Sequence, residues 1–403
     1  RMLEIQQHLP KLCDSGLVDL DKCKKIINKI NKSHKPIIYL GQGCRDAVNN
    51  LRRFAIKGNI PVTSTIHGKG IFDDHHPLSL EWCGMHGHAG ANYALQEADC
   101  IIALGSRFDD RTTGSVEKYA PIARKNNGII HINIEPSEIN KVVKSDLSIS
   151  TDCNKFLNIG NQLLEYKPRK DWINKTKNFK NKYEFHNKKS DPNDNLHMED
   201  VLQRLYLKTL NKNVIFTTGV GNHQMQAYQF IKAQYPNKII SSGSLGVMGS
   251  GLPYSIGAQI AKPEKMIINI DGDSSFNMTS TDLKTIKDYD LPVKIAIMNN
   301  KSQQMVNVWE QLYFNNRQTA TLNHNNPDYV KLAESYGIMG IKCDETKDLK
   351  KTIDDFINYP GPILCEFNIK QDICLPLVGP GKALNEMILP NDKICIDSTE
   401  VPS

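Results

Sequence analysis

In the stretch MIINIDGDSSFNMTSTDLKTI an apolar run ends at Gly272-Asp273-Ser274 and a helical pattern follows. In PVKIAIMNNKSQQMV a second apolar run ends at Asn299-Asn300. Asp273 and Asn300 are 27 residues apart, about the length of one strand–helix–strand crossover. If the two runs are neighbouring parallel strands, a carboxylate and a carboxamide emerge side by side at their carboxyl ends, where open α/β sheets bind ligands. That pair suits a hard cation such as Mg²⁺, which prefers octahedral oxygen coordination and lets phosphate oxygens and water complete its shell. Gly272 permits a tight turn and close backbone approach. Ser274 and Ser275, opening the next helix, offer donors to a diphosphate. An ordinary strand–turn–helix with an aspartate cap would carry the same GDS. The spaced NN, also placed after an apolar strand, favours cation and diphosphate.

The elements that must position these groups follow from periodicity. Leu17, Leu20, Ile26, Ile27 and Ile30 recur at helical spacing over Leu17–Asn31. Short apolar strands are expected at Ile37–Leu40, Ile60–Thr63, Cys100–Leu104 and Ile129–Ile134. A second series is expected at Val214–Thr217, Ile239–Ser241, Met266–Ile270, Val293–Met298 and Ile363–Phe367, the last after a helix at Leu349–Asn358. Strands alternating with helices predict an α/β protein with two doubly wound parallel-sheet domains. Between them, KPRKDWINKTKNFKNKYEFHNKKSDPNDN is polar and rich in Lys and Asn. It reads as a helical linker rather than a nucleic-acid-binding arm, because no recognisable nucleic-acid fold accompanies its lysines. The expected boundaries are 1–18 linker, 19–165 first domain, 166–197 linker, 198–371 second domain and 372–403 an irregular tail.

With 403 residues, 39% apolar and 23% charged, the chain is long enough to bury a core without staples. Its net charge of +6 does not require a nucleic-acid partner and permits phosphorylated small molecules. No apolar run reaches the ~18–20 residues of a membrane span. The ten cysteines include no CxxC pair and read as buried, reduced thiols of an intracellular protein. The chain begins at Arg1 without an apolar signal region, which suggests a processed or truncated start.

The GDS…NN pattern resembles that of thiamine diphosphate enzymes, and the closer resemblance is to the large catalytic subunits of acetolactate (acetohydroxyacid) synthases. It rests on GQG (Gly41–Gly43), PVTSTIHGKG (Pro61–Gly70), GMHGHAGAN (Gly84–Asn92) and ADCIIALGSRFDDRTTG (Ala98–Gly114). It continues through GVGNHQM (Gly219–Met225), SLGVMGSGLP (Ser244–Pro253) and MVNVW (Met305–Trp309), nearly the whole chain. RFDDRTTG and MVNVW are the most specific. The family order is a pyrimidine-binding domain, a flavin-binding domain and a diphosphate-binding domain. By that resemblance this chain starts after the first of these, which carries the catalytic glutamate, so no residue here is assigned that role and the 403 residues alone are expected to be inactive.

The resemblance implies thiamine diphosphate, Mg²⁺ and FAD as cofactors. It places the metal on Asp273, Asn300 and the Ser302 carbonyl. It puts thiamine diphosphate against Val220, Gly221, Asn222, His223, Gly246, Met248, Gly272, Ser274, Ser275, Met278 and Gln303, and the substrate pocket at Met305 and Trp309. Gly41, Gln42, Gly43, Thr65, Ile66, Met85, His86, Gly105, Ser106, Arg107, Arg111, Glu135 and Asp152 match flavin-contacting positions. Two arginines can pair with phosphates, or simply with Asp109 and Asp110. Gln304 stands where the family usually has glycine. The implied reaction decarboxylates pyruvate and condenses the two-carbon unit with pyruvate or 2-ketobutyrate, giving 2-acetolactate or 2-aceto-2-hydroxybutyrate, the first common step to the branched-chain amino acids. FAD would be structural, since that reaction is not redox. Expected partners are the substrates, a second or further copies as dimer or tetramer, and a regulatory small subunit, with neither nucleic acid nor membrane. The expected location is the cytoplasm, or a plastid or mitochondrion in a eukaryote. Two rivals use the same domains: a flavin-linked 2-keto-acid oxidase or decarboxylase, opposed by RFDDRTTG and Trp309, and a non-catalytic cofactor-binding module. Asp73, Asp74, His75, His76, His86 and His88 do not match a compact zinc spacing.

Overall fold

The computed structural model describes residues 18–185 and 195–392; all but the last residue of the expected linker 1–18, residues 186–194 of the expected linker 166–197, and the end of the expected tail 372–403 lie outside them. The chain divides into two compact units, one running to Glu184 and taking in Val378–Met387, the other Phe185–Leu377 with the residues after Met387.

In the first unit six parallel strands, β1 (Pro36–Leu40), β2 (Val62–Ser64), β3 (Ser79–Trp82), β4 (Cys100–Leu104), β5 (Ile129–Asn133) and β6 (Leu147–Ser150), lie in the order β3-β2-β1-β4-β5-β6. Every residue of β1, β4 and β5 is buried, as a parallel sheet covered on both faces requires. That is why PIIYL and CIIAL are continuous apolar runs rather than alternating ones. The helix Leu20–Lys32 buries Cys23, Ile26, Ile27 and Ile30, and Asp19 caps it by accepting from the Asp21 and Lys22 amides. The chain reverses direction across the sheet between β1 and β4, so the crevice at their carboxyl ends is a topological switch point.

The expected linker is different from its polar composition. Helix Lys170–Lys182 belongs to the first unit. Its Trp172 is 3% exposed and donates from Nε1 to the Pro36 carbonyl at 2.8 Å. Arg169 donates to the carbonyls of Ser33, Gly58 and Ile30, satisfying chain ends that helices leave bare. Trp172 and Arg169 therefore anchor a Lys-rich segment, helped by buried Thr176 and by Ile173 and Phe179 packed against the core. Part of the expected irregular tail is also built in: Val378 and Leu384 are core residues beside Trp172 and Tyr119.

The second unit repeats the plan with β7 (Val214–Thr218), β8 (Ile239–Ser241), β9 (Met266–Gly272), β10 (Lys294–Asn299), β11 (Met339–Cys343) and β12 (Ile363–Asn368), all parallel, in the order β11-β12-β10-β9-β7-β8. β9 and β10 are neighbours, with Met298 opposite Gly272. β8 lies outside β7 and β10 beyond β9, so the switch point falls between β7 and β9. The eight described cysteines are buried and form no disulfide; burial pushes the Cys83 and Cys100 thiols up to about 12, which keeps them protonated and inert. Among the described residues no helix is long and apolar enough to cross a membrane.

Candidate functional site

In the second unit the loops that leave β7, β9 and β10 enclose one cavity. It is lined by Val220, Gly221, Asn222 and His223 after β7, Gly272, Asp273, Ser274 and Ser275 at the end of β9, and Asn300, Ser302, Gln303 and Met305 after β10, with Gly246 and Met248 from the loop after β8. These are all the nominated metal and thiamine diphosphate residues except Met278. Met278 is 57% exposed and does not line the cavity. Of the two nominated substrate-pocket residues, Met305 lines it. Trp309 lies one helical turn further on, half-buried, its ring 5.1 Å from that of Tyr313.

Asp273 is 1% exposed and burial pushes its carboxyl up, against the pull of amide donors from Asn323 and Asn326. Both amides donate to the same oxygen, Oδ2, at 2.9 and 2.7 Å. The neighbouring Asp271 is fully buried. Its Oδ1 lies 3.4 Å from His223 Nε2, and its Oδ2 has no hydrogen-bond partner. No lysine or arginine among the described residues pairs with either carboxylate. The room for Asp271 comes from Gly219: a Cβ there would lie 1.9 Å from Asp271 Oδ1. Across the cavity, the Ser302 amide donates to Asn300 Oδ1 at 3.2 Å, and Asn300 Nδ2 donates to Gln304 Oε1 at 3.2 Å. A backbone N–H can only donate, so the Asn300 carboxamide has one orientation.

This donor set fits a divalent cation. A buried carboxylate and an amide oxygen, with no basic side chain to neutralise them, match the oxygen shell of Mg²⁺. The same carboxylate would repel a diphosphate unless a cation lay between them. The Asn222 Oδ1 and His223 Nε2 atoms, buried without hydrogen-bond partners, add polar capacity on the β7 side. Gln304 is 6% exposed and lines the cavity, so its bulk is accommodated by the hydrogen bond to Asn300.

The first unit gathers its nominated residues along the carboxyl edge of its sheet. Gly41, Gln42 and Gly43 follow β1, Thr65 and Ile66 follow β2, and Met85 and His86 follow β3. Gly105, Ser106 and Arg107 follow β4, Glu135 follows β5 and Asp152 follows β6. Arg111 is brought in by its carbonyl, which accepts from the Met85 amide at 2.7 Å. Arg107 lies near His67, whose pKa is lowered by burial and further by Arg107 and Arg45. The glycines are explained by one another: a Cβ on Gly41 would lie 2.3 Å from the Gly105 carbonyl oxygen, and one on Gly43 2.8 Å from Gly105 Cα. Ser106 Oγ is buried with no hydrogen-bond partner, and the Ser106 carbonyl accepts from His131 Nε2 and Asn133 Nδ2. Glu135 and Asp152 each hold a local cap, on Ser137 and on Asn154 and Lys155. Arg111 is exposed and makes a loose pair with Asp110 at 3.8 Å. In the histidine-rich stretch, His75 bonds Asp73 while Asp74 pairs with Lys69, and among the described residues no group of three His, Cys, Asp or Glu forms a metal site.

Residues 219–367 match the thiamine pyrophosphate enzyme C-terminal TPP binding domain, and residues 23–159 match the thiamine pyrophosphate enzyme central domain. The chain belongs to the thiamine pyrophosphate enzyme family. Its relatives in that family include the mitochondrial acetolactate synthase catalytic subunit of Saccharomyces cerevisiae, 39% identical over 92% of this chain and 55% of the relative. The mitochondrial acetolactate synthase of Schizosaccharomyces pombe is 39% identical over 91% and 57%. The acetolactate synthase large subunit of Cyanidium caldarium is 38% identical over 92% and 63%. The chain thus spans a little over half of the length of these relatives. The TPP binding domain match takes in the β7, β9 and β10 loops that form the cavity.

Asp271, Asn323 and Asn326 are parts of the site that the sequence of this family member does not single out. Asp271 sits two residues before Asp273 in an apolar strand, a position that can signal a buried charge. Asn323 and Asn326 in NHNNPD carry no motif signal, because only the fold brings them to Asp273.

Proposed function

We propose that the second unit binds thiamine diphosphate through Mg²⁺, that the first unit holds FAD along its carboxyl edge, and that the whole protein is an acetolactate synthase. The observation that carries this reading is Asp273: buried, without a basic partner, and lining one cavity with Asn300 and Ser302. The names of the relatives support the choice of reaction.

In this reading Asp273, the Asn300 side chain and the Ser302 carbonyl hold the cation, and the cation carries the diphosphate. Bound thiamine diphosphate supplies the electron sink for decarboxylation of a 2-keto acid. Gly221, Asn222 and His223 border the diphosphate from the β7 side, while Val220, Met248 and Met305 give an apolar wall that excludes water. Trp309, beyond the cavity lining, is assigned to the choice of the second keto acid. In the first unit Ser106 Oγ and the backbone at Gly41–Gly43 suit a dinucleotide at a switch point, with Arg107 and Arg111 as phosphate partners. FAD is structural here, because the reaction needs no electron carrier. Pyruvate and 2-ketobutyrate are the substrates, and the expected assembly is a dimer or tetramer with a regulatory subunit. If the host is eukaryotic, an organelle is the expected compartment, as in the names of the two fungal relatives.

Calorimetric titration with thiamine diphosphate, with and without Mg²⁺, tests the site. The parent should bind only with Mg²⁺, and Asp273→Ala should lose that binding while keeping its far-ultraviolet circular dichroism. Equal affinity in parent and variant would overturn the cation assignment. The reaction is tested by acetolactate formation from pyruvate with Mg²⁺, thiamine diphosphate and FAD. No product from the full-length protein would overturn it.

A further inference from the structure

Asp273 has two carboxylate oxygens, and the structure uses them unequally. Asn323 and Asn326 both donate to Oδ2, so Oδ1 is the oxygen left for a cation. Asn323 shares its amide with Ser274 Oγ at 2.5 Å, and its side-chain contacts end there. Asn326 continues into the sheet. Its Nδ2 also donates to Asn299 Oδ1 at 3.1 Å, and Asn299 Nδ2 donates to Glu366 Oε1 at 2.7 Å. Four side chains thus link the carboxyl ends of β9, β10 and β12: Asp273, Asn326, Asn299 and Glu366.

The direction of each bond in this line is fixed by the next. The Lys301 backbone N–H donates to Asn299 Oδ1 at 3.1 Å, which turns Asn299 Nδ2 towards Glu366. Asn299 Oδ1 is an acceptor, so Asn326 must present its NH₂, and its two hydrogens go to Asn299 and Asp273. The loop that carries Asn326 is held independently. Gln303 N donates to the Thr321 carbonyl at 2.8 Å, Asn323 N to the Lys301 carbonyl at 2.8 Å, and buried Tyr329 donates its hydroxyl to the Asp273 carbonyl at 3.3 Å. The Asn326 side chain is therefore not needed to place its own loop. Its contacts serve the Asp273 carboxylate.

We propose that Asn326, backed by Asn299 and Glu366, is a positioning strut that holds Asp273 with Oδ1 turned to the cavity, and so sets the affinity for the divalent cation. The inference rests on the reading of Asp273 as a cation ligand. Partners of metal ligands typically change metal affinity by 10–100-fold when removed, because the ligand must otherwise be ordered at the moment of binding.

Mn²⁺ serves as the probe, with the full chain in saturating thiamine diphosphate and free Mn²⁺ read by electron paramagnetic resonance. Asn326→Ala should weaken Mn²⁺ binding about 10–100-fold and broaden the bound-metal spectrum, with the metal-free melting temperature close to that of the parent. Asn326→Asp, nearly the same shape but with an acceptor facing two acceptors, should weaken it at least as much. The far end of the strut gives an independent pair of variants should Asn326 variants fail to fold. Glu366→Gln, which can still accept from Asn299, should stay close to the parent, and Glu366→Leu should lose affinity. If the parent itself does not bind Mn²⁺ with thiamine diphosphate, the proposed cofactor site is overturned. If the parent binds and the folded Asn326 and Glu366→Leu variants match it in affinity and spectrum, the strut alone is overturned.

Discussion

One buried carboxylate site in each unit makes an instructive contrast. In the first, Asp74 meets Lys69 at 2.8 Å, with side chains 3% and 2% exposed. That pair is electrically closed and explains itself as structure. In the second, Asp271 and Asp273 are as deeply buried, yet amides and a histidine are their neighbours, and among the described residues no lysine or arginine pairs with them. Desolvating a charge without neutralising it is costly, so the second arrangement makes physical sense when a cation from solution completes it. The same architecture, six parallel strands with a switch point, thus holds a finished ion pair in one unit and an unfinished one in the other.

The contrast is sharpest in stability. Lys69→Met should remove the cation facing buried Asp74 in the first unit and cost about 3–5 kcal/mol, read by denaturant unfolding. Asp273→Asn, measured without metal, should leave stability unchanged or raise it, since the amide can still accept from Asn323 and Asn326. A comparable loss from both variants would erase the distinction. A smaller effect separates the glycines of the two switch points. Gly41→Ala would drive a Cβ into the Gly105 and Ser106 backbone, and Gly219→Ala into the Asp271 and Ser275 side chains. Each should cost about 1–3 kcal/mol by overpacking. Only Gly219→Ala should also impair thiamine diphosphate binding by calorimetry; equal impairment by Gly41→Ala would contradict the separation of the two sites. The mildest expected effect is that of Arg107→Ala, which should leave folding intact and weaken flavin retention, read as bound-flavin absorbance after gel filtration. Retention equal to the parent would remove Arg107 from the flavin site.

The legible parts of the fold were its sheet interiors. Cys100–Leu104 and Ile239–Ser241 match the observed strands end to end, and β1, β7, β10 and β12 begin or end within a residue of expectation. In the two six-stranded sheets the strands that escaped are β3, β6 and β11, and each is a sheet edge; the short pair Leu377–Val378 and Met387–Ile388, in the expected irregular tail, escaped as well. SLEW, LSIS and MGIKC mix polar residues or glycine with apolar ones, as an element with one neighbour can. The helix at Lys170–Lys182 was legible, but its polar composition concealed that it docks on the first unit through Trp172, Thr176, Ile173 and Phe179. At the site, GDS and NN announced Asp273 and Asn300 because strand-end motifs are local. Asn326 and Glu366 were silent, since their importance lies in what parallel pairing brings beside them. Met278 and Trp309 show the converse: matched positions that the structure leaves off the cavity wall.

The discontinuity of the first unit bears on how the protein is made. Val378 and Leu384 fill its core next to Trp172 and Tyr119, but the ribosome reaches them only after the whole of 185–377 has been synthesised. At about 5–20 residues per second, the nascent first unit waits roughly 10–40 seconds for its last core residues. Throughout that interval its core lacks the Val378 and Leu384 side chains, so its last packing step is tied to the completion of the chain rather than to its own first 184 residues.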